Sequence, residues 1–177
     1  MRTLFIAVLV LSLSSPLAAT AGPDSPSKFD TTPYHAVQKV VYDINFANPT
    51  DIVAAFNTIK AHIKTLKEYG DPKFNIVMVA HGNEIHTLSR LNRAVYPDMY
   101  TALKEVTDMG VAVHICNGAA RARGYKPDEF YDLTTVVPIA LTDLAKLESE
   151  GYSYINLNLF PRITRDDLVK QHPELKM

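Results

Sequence analysis

The chain has 177 residues, and 18 Lys and Arg nearly balance 19 Asp and Glu. No basic stripe is visible, so nucleic acid is a poor partner. The length suits one domain, since about 150 residues bury roughly 68–70% of their unfolded surface, and the single cysteine excludes a disulfide within one chain.

The first residues read as a secretory signal peptide over 1–21. Arg2 is followed by an apolar stretch from Leu4 to Leu13, a break at Ser14-Ser15-Pro16, and a small-residue end, Ala19-Thr20-Ala21. Cleavage is expected after Ala21. The apolar stretch is too short for a membrane span, which needs about 20 residues, and no other segment is a candidate. We therefore expect no membrane partner, and a mature protein exported to the periplasm or secreted. No cysteine stands at the cleavage point, which argues against a lipid anchor.

Residues 22–35, rich in Pro, Ser and Asp, read as a disordered leader. Ala36 to Ile44 has strand composition, and Asn48-Pro49-Thr50-Asp51 gives a helix start. Ile52, Phe56, Ile59, Ile63 and Leu66 follow at helical spacing up to Gly70. Phe74 to Ala80 is a near-continuous apolar run, as in a strand buried on both faces. A helix is expected over Tyr96 to Met109, a strand over Val111 to Cys116, and short helical pieces over Ala119 to Arg123 and Pro127 to Tyr131. Thr134 to Val137 reads as a strand. Pro138 then opens a helix that ends at Gly151, and Ser153 to Leu157 is a fifth strand. Strands alternating with helices imply a three-layer α/β/α sandwich over 36–157 with a mainly parallel five-stranded sheet. Residues 158–177 are left as a tail.

Ligands of open α/β sheets bind beyond the carboxyl ends of the strands. That edge collects His81-Gly82-Asn83, then Cys116-Asn117-Gly118, then Pro138. Cys116 stands where a strand delivers a thiol to a helix start, a position that favours the reactive thiolate. The alternative is a buried cysteine acting as a small hydrophobe. Export sharpens that choice, because an idle exposed thiol is a liability in an oxidising compartment. His81 is a candidate base or ion partner for Cys116, against a strand-end histidine bonded to backbone. His86 reads as solvated and His114 as a packed core histidine. Arg121 and Arg123 read as a solvated helix face, or as attractors of an anionic sulfur species. The spacing of His81, His86, His114 and Cys116 matches no paired-ligand pattern, so no metal and no other cofactor is expected. There is no G-x-G-x-x-G, Walker loop or G-x-S-x-G elbow.

Four pieces together resemble the DsrE/DsrF-like family of sulfur metabolism. They are Val79-Ala80-His81-Gly82, the run Gly110 to Asn117, Val136-Val137-Pro138, and Leu144, Leu147, Gly151, Tyr152, Tyr154 and Ile155. The resemblance runs from about Val40 to Ile155. It implies a compact α/β sandwich that assembles into trimers or hexamers. It further implies a cysteine, here Cys116, that carries sulfur as a persulfide between donor and acceptor proteins or small sulfane-sulfur species. The chain departs from the family pattern at Asn117-Gly118-Ala119, where Asn-Thr-Leu often follows the cysteine, and at Ala140, where glycine is frequent. Two readings follow. One is a sulfur-carrying thiol protein, with Cys116 and His81 as its chemical residues and Gly82, Asn83, Asn117, Gly118 and Pro138 lining the site. The other is a non-catalytic module that binds a small ligand or metal, in which Cys116 is structural.

Overall fold

The computed structural model describes residues 25–160 and 162–175. The expected signal peptide and its cleavage point lie outside these residues. The chain divides between Thr31 and Thr32. Of the first part, residues 25–31 are described, and they carry neither helix nor strand.

From Thr32 onward, five strands alternate with helices. They are β1 (Gln38–Ile44), α1 (Ile52–Glu68), β2 (Phe74–Ala80), α2 (Met99–Asp108), β3 (Val111–Cys116), α3 (Asn117–Ala122), β4 (Thr135–Val137), α4 (Ala140–Ser149), β5 (Ser153–Asn156) and α5 (Arg165–Gln171). The sheet order is β4-β3-β2-β1-β5 and every pairing is parallel. The expected three-layer sandwich is therefore what forms, with a sheet that is parallel throughout.

Each helix begins and ends for local reasons. Asn48 accepts a bond from the Thr50 N–H, which starts the tight turn Pro49–Asp51 leading into α1. The α1 stripe of Ile52, Ala55, Phe56, Ile59, Ile63 and Leu66 is buried, at the spacing that turns one helical face to the sheet. Gly110 (φ 91°) and Gly151 (φ 86°) follow α2 and α4 in the left-handed region, where a side chain would be strained. Two expected helix starts move. Helix α2 begins at Met99 rather than Tyr96, after Pro97. Helix α4 begins at Ala140 rather than Pro138, because Ile139 is extended (φ −155°, ψ 140°).

Alternation along the strands separates two cores. Val40, Tyr42 and Ile44 of β1 join Ile76, Met78 and Ala80 of β2 and Val111, Val113 and Ile115 of β3 beneath α1 and α2. On the opposite face Val41, Val77, Val79 and Cys116 meet Ala140, Leu144 and Leu147 of α4. The chain steps from β1 through β4 in one direction, then returns through α4 to place β5 against the far side of β1. Helices on opposite faces follow from right-handed crossovers run in opposite directions. The reversal makes a switch point between β1 and β5, where such sheets open a crevice at the carboxyl ends of the strands.

Candidate functional site

Cys116 is the last residue of β3 and caps α3. Its Sγ accepts the Ala119 N–H at 3.3 Å and the Ala140 N–H at 3.2 Å. The second donor comes from the start of α4: the Gly118 N–H bonds the Pro138 carbonyl (3.2 Å), Ile139 is extended, and the Ala140 N–H meets the sulfur. The thiol thus lies where two helices begin, with two donors aimed at one acceptor. Cys116 is 4% exposed. A Cβ added at Gly118 would sit 3.6 Å from Sγ and 3.2 Å from Ile139 Cγ1, so the glycine leaves space beside the sulfur. The half-exposed Ile139 borders that space.

His81 does not bond Cys116. Its Nε2 lies 2.6 Å from Asp43 Oδ1. The other oxygen of Asp43 accepts the Tyr154 hydroxyl at 2.5 Å and Asn156 Nδ2 at 3.4 Å. The hydrogen bond to this carboxylate raises the Tyr154 phenol above its ordinary range. Asp43, Tyr154 and Asn156 come from β1 and β5, so this cluster occupies the switch point. None of the three is among the expected site residues, although Tyr154 belongs to the run that carries the family resemblance. The available signal was Asp43, an acid at the carboxyl end of a strand that is otherwise apolar.

A second histidine–carboxylate pair lies on the same face, His114 Nδ1 to Asp143 Oδ2 at 2.7 Å. His114 was expected to be packed in the core. It is half-buried and held by the first turn of α4. His86, expected in solvent, is half-buried too: its Nδ1 accepts the Tyr125 hydroxyl at 2.8 Å, and Asn92 Nδ2 donates to that same oxygen at 2.7 Å. Burial, aided by the charge of Arg123, lowers the His86 pKa, in keeping with a neutral ring that accepts. Arg123 is not a free helix face either. It donates to Asn83 Oδ1 (3.2 and 3.1 Å) and to the Ala119 carbonyl (3.1 Å).

The remaining expected site residues divide. Asn83 ties loops together, its Nδ2 donating to the Ala47 carbonyl. Gly82 allows close approach: a Cβ there would collide with the Phe46 backbone and Glu84 Oε2. Glu84 is fully buried and accepts the Phe46 N–H (2.9 Å) and the Gly82 N–H (2.7 Å), which locks the loops after β1 and β2. Burial raises its pKa against those two bonds. Asn117 Oδ1 is buried beside the thiol with no hydrogen-bond partner. Among the described residues no group of three or more His, Cys, Asp or Glu is placed to hold a metal. No described helix is long and apolar enough to cross a membrane.

The arrangement offers one thiol under two donors and, on the neighbouring strand, an imidazole oriented by a carboxylate. A family model matches the chain over residues 39–157, more than half its length, and that model describes the DsrE/DsrF-like family. Among solved structures, the protein of unknown function MTH1491 from Methanobacterium thermoautotrophicum is similar in fold. It superposes with a TM-score of 0.56 at 20% identity, covering 68% of this chain and 99% of the other. No curated protein matches the chain. Matched from β1 to the end of β5, the chain belongs to the DsrE/DsrF-like family.

Proposed function

We propose that this protein is an exported thiol protein that accepts a sulfane sulfur on Cys116 and passes it on as a persulfide. The observation that carries the reading is the pair of N–H groups, of Ala119 and Ala140, directed at Sγ in a chain of this family. Donors aimed at sulfur favour its anionic form, and the anion is the attacking species in sulfur exchange. The space left by Gly118 suits a terminal sulfur atom. Donor and acceptor are partner proteins or small sulfane-sulfur species outside the cytoplasm. The export half of the proposal rests on Arg2, the apolar run to Leu13 and Ala19-Thr20-Ala21. The working form is a homo-oligomer of three or six chains, which light scattering checks.

Intact-mass measurement tests the core of the reading. Protein recovered from the exported fraction should begin at Gly22, gain one sulfur atom on exposure to inorganic polysulfide, and lose it to a reductant. Cys116→Ser should fold and gain none. Wild type that takes up no sulfur, under conditions that load a free thiolate control, would overturn the carrier reading.

One observation favours the second reading, a binding module with a structural cysteine: Cys116 is almost wholly buried. On that reading Cys116→Ser loses stability and the thiol of the folded protein resists alkylation.

A further inference from the structure

We propose that His81 takes the thiol proton from Cys116 and returns it to the leaving group during sulfur exchange, and that Asp43, clamped by Tyr154 and Asn156, positions it. This deepens the sulfur-carrier reading and rests on it.

Sheet register puts the two residues at neighbouring strand ends. The last paired residues of β2 and β3 are Ala80 and Ile115, and the next on each strand are His81 and Cys116. Neighbouring strands are about 4.8 Å apart. Both side chains belong to the face covered by α4: Cys116 falls in one buried cluster with Val79, and His81 reaches Asp43, which shares its strand face with Val41. His114 is also on this face but one paired position lower, level with Val79, where Asp143 holds it.

The bonding around Asp43 then assigns the ring. A buried carboxylate with one oxygen on His81 and the other on two donors is fully engaged as an acceptor. Nε2 of His81 therefore carries the proton that Asp43 accepts, and Nδ1 is left as the basic nitrogen. No hydrogen bond occupies Nδ1 among those of the described residues. A carboxylate that fixes the tautomer and stabilises the imidazolium is the means by which a histidine becomes an effective base. The side chain of His81 is 20% exposed and that of Asp43 10%, so the ring is reachable while its orienter is sheltered.

The exchange balances without an external oxidant. Nδ1 takes the Cys116 proton, and the thiolate attacks the outer sulfur of a persulfide, R–S–SH. A new bond forms between Sγ and that sulfur while the donor S–S bond breaks. The electron pair leaves on R–S⁻, which takes the proton back from His81. The products are Cys116–S–SH and R–SH, and His81 is neutral again.

Other charged groups face this ring. Glu84 acts on His81 electrostatically from the loop after β2, and Glu148 of α4 acts on Tyr154. The test therefore reads pH profiles rather than single rates. Two rates are followed against pH in the full-length mature protein, loading of Cys116 by inorganic polysulfide and its alkylation by iodoacetamide. His81→Gln should slow loading about 100-fold, the low end of what a positioned acid–base group contributes. It should also reduce a two-group alkylation profile to a one-group profile. Asp43→Asn should slow loading about tenfold and move the same limb of the profile. Tyr154→Phe leaves the carboxylate in place and should cost a few-fold, which keeps the idea testable if the Asp43 variant does not fold. His114→Gln should leave both profiles in place. Profiles unchanged in His81→Gln, or moved by His114→Gln instead, would overturn the assignment. If wild type takes up no sulfur but His81→Gln still alters the alkylation profile, the carrier reading falls and the proton-acceptor role of His81 stands.

Discussion

Helices α1 and α2 press Phe56, Ile59, Ile63 and Leu103 onto Val40, Tyr42 and Ile44, and that side of the sheet is closed by apolar contact. The other side has α4, which brings Leu144 and Leu147 to Val41, Val77 and Val79. Near the carboxyl ends of the strands this second side holds His81–Asp43, His114–Asp143 and Cys116. There, burial is satisfied by hydrogen bonds rather than by packing. The contrast shows where a fold of this kind has room for chemistry. The face covered by α1 and α2 together is filled with apolar side chains, and the face on which α4 packs leaves strand ends for paired polar groups.

Substitutions on the two faces should therefore fail differently. The largest loss is expected for Phe56→Ala on the apolar side, about 3–5 kcal/mol by chemical denaturation, because an aromatic side chain leaves a cavity that the helix and sheet cannot close. Leu144→Ala on the α4 side should cost about 2 kcal/mol, the low end for leucine, since the site borders polar groups and partial exposure. Equal losses at the two positions would break the comparison.

Glu84→Gln sharpens it at the loops that follow β1 and β2. The amide can accept from only one of the Phe46 and Gly82 N–H groups and turns a donor on the other, so a loss of about 1–3 kcal/mol is expected although a buried charge is removed. The pH dependence has a definite sign. Glu84 is raised in the folded state, so the fold binds more protons than the unfolded chain between the ordinary glutamate value and the raised one. Its contribution to stability is present below that window and lost as pH rises through it. Denaturation midpoints measured across pH should show this slope in wild type and lack it in Glu84→Gln.

The smallest effect on stability belongs to Gly118→Ala, within about 1 kcal/mol, since alanine favours the helix and its methyl would lie 3.2 Å from the movable Ile139 side chain. The same methyl fills space beside Sγ, so alkylation of Cys116 should slow measurably while the melting temperature barely moves.

Much of the scaffold was legible because it rests on local periodicity. The α1 stripe and the apolar β2 run identify themselves, and Gly110 and Gly151 punctuate them. The strand-end rule likewise reached Cys116 and His81. The partner of His81 escaped because it is set by sheet order: Asp43 meets His81 across adjacent strands and Tyr154 across the switch point, and no spacing in the sequence encodes that β5 lies beside β1. The start of α4 was misplaced for a related reason. Pro138 is a good first helical residue by local preference, but its carbonyl accepts the Gly118 N–H, Ile139 after it is extended, and the helix starts only at Ala140, whose N–H meets the sulfur. His86 and Arg123 were read as solvated because Tyr125 and Asn83, which engage them, are 39 and 40 residues away in sequence.

The return crossover also makes the Asp43 cluster one of the most non-local contacts in the fold. Asp43 lies on the first strand, yet Tyr154 and Asn156, which clamp it, follow 111 and 113 residues later. Contacts of such separation carry the highest loop-closure entropy and form late. A chain emerging from synthesis presents β1 to β4, with Cys116 at the end of β3, before β5 is available to dock. Until then the carboxylate beside His81 lacks two of its three donors, Tyr154 and Asn156. The last strand thus completes the carboxylate: β1 and β2 alone bring Asp43 to His81, and β5 adds the donors that engage its second oxygen.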